Sequence, residues 1–348
     1  MRSKIVLNDA LWVAGAGAIA GAGAAVLTSL GNPVDGGISI ACFSRDMAGA
    51  LGFHQVIEFS YLRPELFAIV FGAVLAATVK GAFQPSGGSS TMLRFFIGMI
   101  CSFGVFAFIG CPMRVGLRLA GGDPAAFAGL AGLIAGSGIG TLFLAKGFTL
   151  GKTSAVSRMN GLVFHCILAL LFVFLIMRPS FITLSRQRHA PLIASLAIGG
   201  LLGIAGQRTK LCFTGGFRNM FLIGDTTLLM GFVFLVLSAF FTNLALGQEH
   251  VGIHLIGSAD MLWSFLALTV VGIASTLLGG CPFRQLILAA QGNTDSAITV
   301  MGITAGAAIS YNYYLAFMAD SLDRNGKVAV IGGLIILIVI GLFNRKKT

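Results

Sequence analysis

Long apolar runs, broken by short polar or glycine-rich turns, dominate this chain. Ten of them are long enough, or nearly so, to cross a hydrocarbon core about 30 Å thick. In the first half they fall at 11–30, 65–83, 93–110, 124–145 and 160–178. In the second half they fall at 190–206, 226–247, 262–280, 296–318 and 328–343. The shortest, from Pro191 to Gly206, is also glycine-rich. Four further apolar segments, each about ten residues long and edged by glycine, lie between the long runs: Ile38 to Leu51, Met113 to Ala120, Leu211 to Ile223 and Phe283 to Gln291. Too short to span, they predict re-entrant half-helices. Non-helical backbone at membrane depth is tolerated only where it is buried in protein or lines a cavity.

Composition fits that pattern. Of 348 residues, 56% are hydrophobic, 10% are charged and 48 are glycine, with a mean hydropathy of +0.93. These values mark an all-α polytopic membrane protein rather than two soluble domains. The net charge of +11 comes from basic residues scattered in short loops and at the ends. No basic stripe interleaved with aromatics exists, so nucleic acid is set aside as a partner. Seven basic residues lie in the short cysteine-bearing segments. Of the others, ten fall on one side (Arg2, Lys4, Lys80, Arg94, Lys146, Lys152, Arg158, Arg345, Lys346, Lys347) and six on the other (Arg63, Arg178, Arg186, Arg188, Arg324, Lys327). That excess predicts both termini in the cytoplasm, although the connector near Arg186 runs against it. The run from Leu11 to Leu30, preceded by Arg2 and Lys4, reads as a first helix rather than a cleaved signal.

The chain repeats itself. Cys42 and Cys212 differ by 170 positions, as do Cys111 and Cys281. A Cys-Phe-Ser/Thr element and a Gly-Cys-Pro-x-Arg element thus recur in one register. Nine of 27 positions are identical between 110–136 and 280–306, where roughly two or three are expected by chance. The expected organisation is a membrane repeat over 1–178, a connector over 179–190 and a second membrane repeat over 191–348. Five spans per copy require the second copy to enter from the opposite face. Inverted-topology repeats are a transporter device, with the substrate path at the repeat interface. The half-helices then dip in from both faces toward an hourglass waist.

The Gly-Cys-Pro-x-Arg element suggests chemistry. Pro112 and Pro282 favour the first helical position, which makes Cys111 and Cys281 N-caps. Each thiol then faces the positive end of a half-helix, an anion site by construction. Arg114 and Arg284 add charge in the same turn, while Gly110 and Gly280 allow close backbone approach. A hard oxyanion needs no thiol. Sulfur in the site suits a polarisable sulfur or selenium atom, passed along by weak contacts that release it.

Other features carry plainer readings. Cys101 and Cys166 lie inside long spans and read as packing, and His165 as a neutral hydrogen-bonded packing group. Asp123, Asp225 and Asp295 precede helices and read as caps. The glycines from Gly15 to Gly23 read as helix contacts, and the phenylalanines as lipid-facing filler. Gly147 to Thr153 ends like a nucleotide-binding loop, but its first glycine is one residue too close to Lys152. With no Asp or Glu deep in a long span, a channel-like or facilitated path is expected. No cofactor, metal site or enzymatic activity is predicted. A Cys42–Cys111 disulfide stays open.

Gly-Cys-Pro-Met-Arg, Gly-Gly-Cys-Pro-Phe-Arg and the stretch from Gln207 to Asn219 (Gln-Arg-Thr-Lys-Leu-Cys-Phe-Thr-Gly-Gly-Phe-Arg-Asn) resemble the YeeE/YedE sulphur-transport family, from about Gly15 to Phe343. The resemblance is nearest to the YedE type associated with selenium metabolism. It implies a multi-pass protein of the bacterial inner membrane, an hourglass of half-helices, and uptake of thiosulfate past cysteines matched here by Cys42, Cys111, Cys212 and Cys281. It also implies a small cytosolic sulfur-carrier partner of the TusA type. The thiosulfate transporters of the family rely on three essential cysteines, whereas this chain has four, so a selenium cargo stays open. Two other classes fit the residues less well. A membrane thiol oxidoreductase would want Cys-x-x-Cys pairs, and none occurs. A soft-metal transporter would place His, Met or carboxylate beside its thiols, where this chain places arginines.

Overall fold

The computed structural model describes residues 2–33, 37–185, 187, 189–248, 261–317 and 322–345. Arg186, Arg188, Lys346 and Lys347, which entered the charge balance, lie outside those residues, as does the end of the run predicted over 296–318. Seven α-helices come from the first half: α1 (Arg2–Ser29), α2 (Ile40–Ala50), α3 (Pro64–Val79), α4 (Thr91–Phe108), α5 (Pro112–Ala120), α6 (Pro124–Ala145) and α7 (Arg158–Met177). Seven come from the second: α8 (Leu192–Thr209), α9 (Gly215–Ile223), α10 (Thr227–Ala245), α11 (Met261–Leu277), α12 (Pro282–Ala290), α13 (Thr294–Asn312) and α14 (Arg324–Phe343). The four short helices α2, α5, α9 and α12 fall on the four segments read as half-helices. Two two-residue strands, Ser86–Gly87 and Ser154–Ala155, pair antiparallel.

Nine stretches among the described residues are long and apolar enough to cross a membrane, with α4–α5 and α11–α12 each forming one continuous stretch. The sequence pattern predicted ten. The missing one is α13, whose Asp295, Ser296, Thr299 and Ser310 dilute its apolar character. Those polar groups are buried against the rest of the protein, so α13 answers to protein packing rather than to lipid.

The helices pack in a pattern that survives exchange of the two halves. α1 lies against α10 and α3 against α8; α6 lies against α11 and α4 against α13; and α4 meets α11. Small residues make these crossings close. A side-chain carbon on Gly17 would strike the Gly231 carbonyl, one on Gly72 the Gly200 carbonyl, one on Gly132 the Phe265 carbonyl, and one on Gly302 the Phe95 carbonyl. Without a hydrophobic drive between helices in lipid, such backbone proximity is what holds them together. Gly17 and Gly21 sit at the α1–α10 crossing and Gly23 meets Ile198 of α8, as the reading of Gly15 to Gly23 expected, whereas Gly15 has nothing within 4 Å.

The phenylalanine reading needs correction. Phe71, Phe127 and Phe241 do face outward, but Phe43, Phe67, Phe106, Phe108, Phe213 and Phe283 are among the largest fully buried side chains. Phe43 lies under the Arg63 guanidinium, whose central carbon is 5.6 Å from the ring centroid, and Phe213 packs against Phe283 with ring centroids 5.8 Å apart. Asp123 caps α6 as expected, accepting from Ala125 N at 2.9 Å, and Asp225 accepts from Thr227 N at 2.9 Å. Asp295 is no cap; Asn293 fills that role, accepting from Ser296 N at 2.7 Å. Asp295 instead accepts from Gly88 N, Ser89 N and Ser89 Oγ, at 3.0, 3.2 and 2.6 Å, tying the 88–89 turn to the start of α13. His165 spans from α7 to the end of α12, its ring nitrogens lying 3.1 Å from the Gly161 carbonyl and 2.9 Å from the Ala290 carbonyl.

Candidate functional site

Two hairpins, α4–α5 and α11–α12, are built alike. In the first, Gly110 N donates to Val105 O at 2.8 Å; in the second, Gly280 N donates to Ser275 O at 2.8 Å. Each turn needs one left-handed residue, Ile109 at φ 59° and Gly279 at φ 83°. Isoleucine in that conformation is uncommon and strained, so the turn geometry is held in the first hairpin despite its residue. Cys111 and Cys281 follow in extended backbone as the N-caps of α5 and α12, with Pro112 and Pro282 at the first helical position. Cys111 faces the amides of Met113 and Arg114, and Cys281 faces that of Arg284.

The glycine before each cysteine has a definite neighbour. A side-chain carbon on Gly110 would come within 2.9 Å of the Arg114 side chain, and one on Gly280 within 2.7 Å of the Arg284 side chain. Each arginine therefore folds back over its glycine beside the thiol.

The other pair of cysteines departs from the symmetry of the sequence. Cys42 lies inside α2, because Phe43 N already donates to Ser39 O at 2.9 Å. Cys212 lies before α9, two residues ahead of the N-cap Thr214, and its sulfur accepts from Gly215 N, the first amide of the helix, at 3.2 Å. Glycines at 215 and 216 let the chain turn tightly over that sulfur, where α2 has Arg45 and Asp46.

All four motif cysteines and Cys101 are buried free thiols, and Cys166 is an exposed free thiol; no Cys42–Cys111 disulfide is present. Cys212 and Cys281 meet directly, the Cys281 amide donating to Cys212 Sγ at 3.3 Å. In the first half, Ser39 Oγ donates to Cys111 Sγ at 3.4 Å, and Cys42 lies within electrostatic reach of Cys111. The Thr214 hydroxyl, two residues after Cys212, one Arg284 nitrogen (Nη1), three residues after Cys281, and the Thr276 hydroxyl, which packs beside Gly140 of α6, are buried with no hydrogen-bond partner among the described residues. Unspent donors of this kind suit an anion. A cavity of about 330 Å³ is lined in part by Arg94, Arg218, Asn219, Thr276 and Gly279, the last of these two residues before Cys281; neither thiol lines it.

Part of the chain is similar to a thiosulfate transporter. Over 133 residues it is 25% identical to the thiosulfate transporter TsuA of Escherichia coli (strain K12), a match covering 38% of each chain. No family model matches.

Several residues escaped the sequence reading. Cys101 is not one of them: read as packing, it is buried in the hydrophobic core. Cys166 is not packed inside at all but faces outward from α7. Arg45, Asp46, Arg63 and Tyr311 form a buried polar cluster beside Cys42. Asp46 Oδ1 accepts from Arg45 Nε at 2.7 Å, and Asp46 Oδ2 accepts from Arg63 Nε. A second buried carboxylate, Glu65, begins α3 and accepts from Asn32 Nδ2 at 2.7 Å and Ser195 Oγ at 2.8 Å. The available signal was an Arg-Asp pair inside an apolar segment too short to span, since buried charges occur only with partners.

Proposed function

We propose that the protein is a permease that takes up a sulfur-containing anion, thiosulfate first, or its selenium analogue, through a constriction lined by Cys42, Cys111, Cys212 and Cys281. The observation that carries this reading is the contact of Cys212 with Cys281 amid donors that lack partners. Thiols supply soft contacts for the chalcogen atom. Arg284, Thr214, Thr276 and the helix N-termini supply hard contacts for oxygens. Because each contact is weak, none traps the cargo.

On this reading the two halves are inverted repeats, 1–178 and 191–348, and the cargo crosses where they meet. The exchange-symmetric helix pairing and the matched hairpins support it. The similarity to a thiosulfate transporter supports the cargo class. The cavity lined by Arg94 and Arg218 is then the vestibule leading to Cys212 and Cys281, where a TusA-type carrier on the cytoplasmic side of the inner membrane would receive the sulfur.

The deciding experiment uses a host that cannot make its own reduced sulfur, grown on thiosulfate as sole source. Cys111→Ala and Cys281→Ala are each expected to abolish growth while the detergent-purified protein elutes as the parent does. Unimpaired growth of both variants would overturn the reading. A parallel uptake assay with selenium compounds separates the two cargoes.

A further inference from the structure

Beside Cys42 lies a charged site that the duplication did not copy. Arg45 is 1% exposed on α2, one turn beyond Cys42. Its guanidinium stacks 3.8 Å from the Phe59 ring centroid, which fixes its plane and leaves its nitrogens at the rim. Nε donates to Asp46, and Nη1 donates to Tyr311 Oη at 3.0 Å. Nη2 is buried with no partner among the described residues. Tyr311 is buried as well, and since its oxygen accepts from Arg45, its own proton is left to donate elsewhere. Both groups lie within electrostatic reach of Cys42.

The charges do not cancel within this cluster. Asp46 is shared between Arg45 and Arg63, so two guanidiniums face one carboxylate. Glu65, two residues beyond Arg63, is bonded to Asn32 and Ser195 instead. His54 offers no negative charge; its Nε2 sits 3.0 Å from the Arg45 carbonyl. A surplus buried cation with an idle donor is costly unless an anion visits it. Moving 170 positions on, Arg45 becomes Gly215 and Tyr311 corresponds to Thr141, so the second half has no such site.

We propose that Arg45 Nη2 and the Tyr311 hydroxyl bind the oxygen atoms of the transported anion while the Cys42 thiol receives its soft atom. This rests on the permease reading above and deepens it. The ligand class is a tetrahedral oxyanion in which sulfur or selenium replaces one oxygen. The site selects on the oxygens, and the thiols beyond it select on the chalcogen. A plain oxyanion such as sulfate therefore occupies the first without passing the second.

The test uses the full chain in proteoliposomes, with radiolabelled thiosulfate as cargo and inorganic sulfate as competitor. The parent is expected to show saturable uptake that sulfate inhibits. Arg45→Gln raises KM at least tenfold and abolishes sulfate inhibition, and Tyr311→Phe raises KM several-fold with kcat little changed. Wild-type KM and intact sulfate inhibition in both folded variants overturn the proposal. Should Arg45→Gln fail to fold, Tyr311→Phe decides, together with the rise in melting temperature that sulfate produces in the parent and not in that variant. If the parent transports nothing, the permease reading fails, while the sulfate-dependent melting shift and its loss in Tyr311→Phe still report on the site. An absent shift in the parent counts against the site itself.

Discussion

The amide of Cys281 points at the sulfur of Cys212 across 3.3 Å, so the tip of the α11–α12 hairpin rests on the entry to α9. The same sulfur also receives the Gly215 amide. Two amides converging on one buried sulfur mark a place where sulfur carries partial negative charge, or where an incoming anion displaces it.

Oxidation follows from that proximity. A thiol-specific oxidant such as diamide removes one hydrogen from each thiol, is itself reduced to the hydrazine, and is expected to join Cys212 to Cys281 as a disulfide. Peptide mass spectrometry reads the linked pair, and uptake should stop until a reductant restores it. Cys281→Ala should yield no linked peptide. A protein that keeps transporting while cross-linked would show that the cargo does not pass between these two thiols.

Adjacent glycines in the same turn are expected to fail for different reasons. Gly279 sits at φ 83° with nothing within 4 Å of its would-be side chain. Gly279→Ala should therefore lower stability by about 1 kcal/mol through backbone strain alone, with uptake kept. Gly280→Ala brings a carbon within 2.7 Å of Arg284 and 3.7 Å of Cys212 Sγ. It should keep most of the stability, because Arg284 can swing away, and lose uptake. Thermal melts and transport rates of the two variants, compared side by side, decide.

Acid should loosen the region between the halves. His189 stacks on Tyr61 with ring centroids 3.6 Å apart and faces Arg63 Nη1 at 3.3 Å from its Nδ1. Burial, then the Arg63 charge, pull its pKa down to about 4, with Asp46 opposing. A histidine depressed in the folded state binds fewer protons there than in the unfolded chain, so stability is full above the ordinary value near 6.5 and declines as pH falls toward 4. Burial lowers the pKa of His54 too, in the same direction. Melting temperature should fall across that window, and His189→Gln should flatten the fall in part. An identical slope in the variant would remove His189 as a cause.

The polar pattern and the repeated elements carried much of this protein. Apolar runs locate spans because lipid forces every backbone group into helix, and proline after cysteine locates the start of α5 and α12 because proline tolerates only that end of a helix. Four short apolar runs edged by glycine announced α2, α5, α9 and α12. Tertiary structure decided what depends on neighbours distant in sequence. α13 reads as a span, yet its polar side chains are accommodated by packing against α4. Cys42 and Cys212 occupy one register of the repeat but sit inside a helix and ahead of one, because glycines replace Arg45 and Asp46. Tyr311 joins Arg45 across 266 positions, and no local pattern encodes a pairing made only when the chain closes on itself.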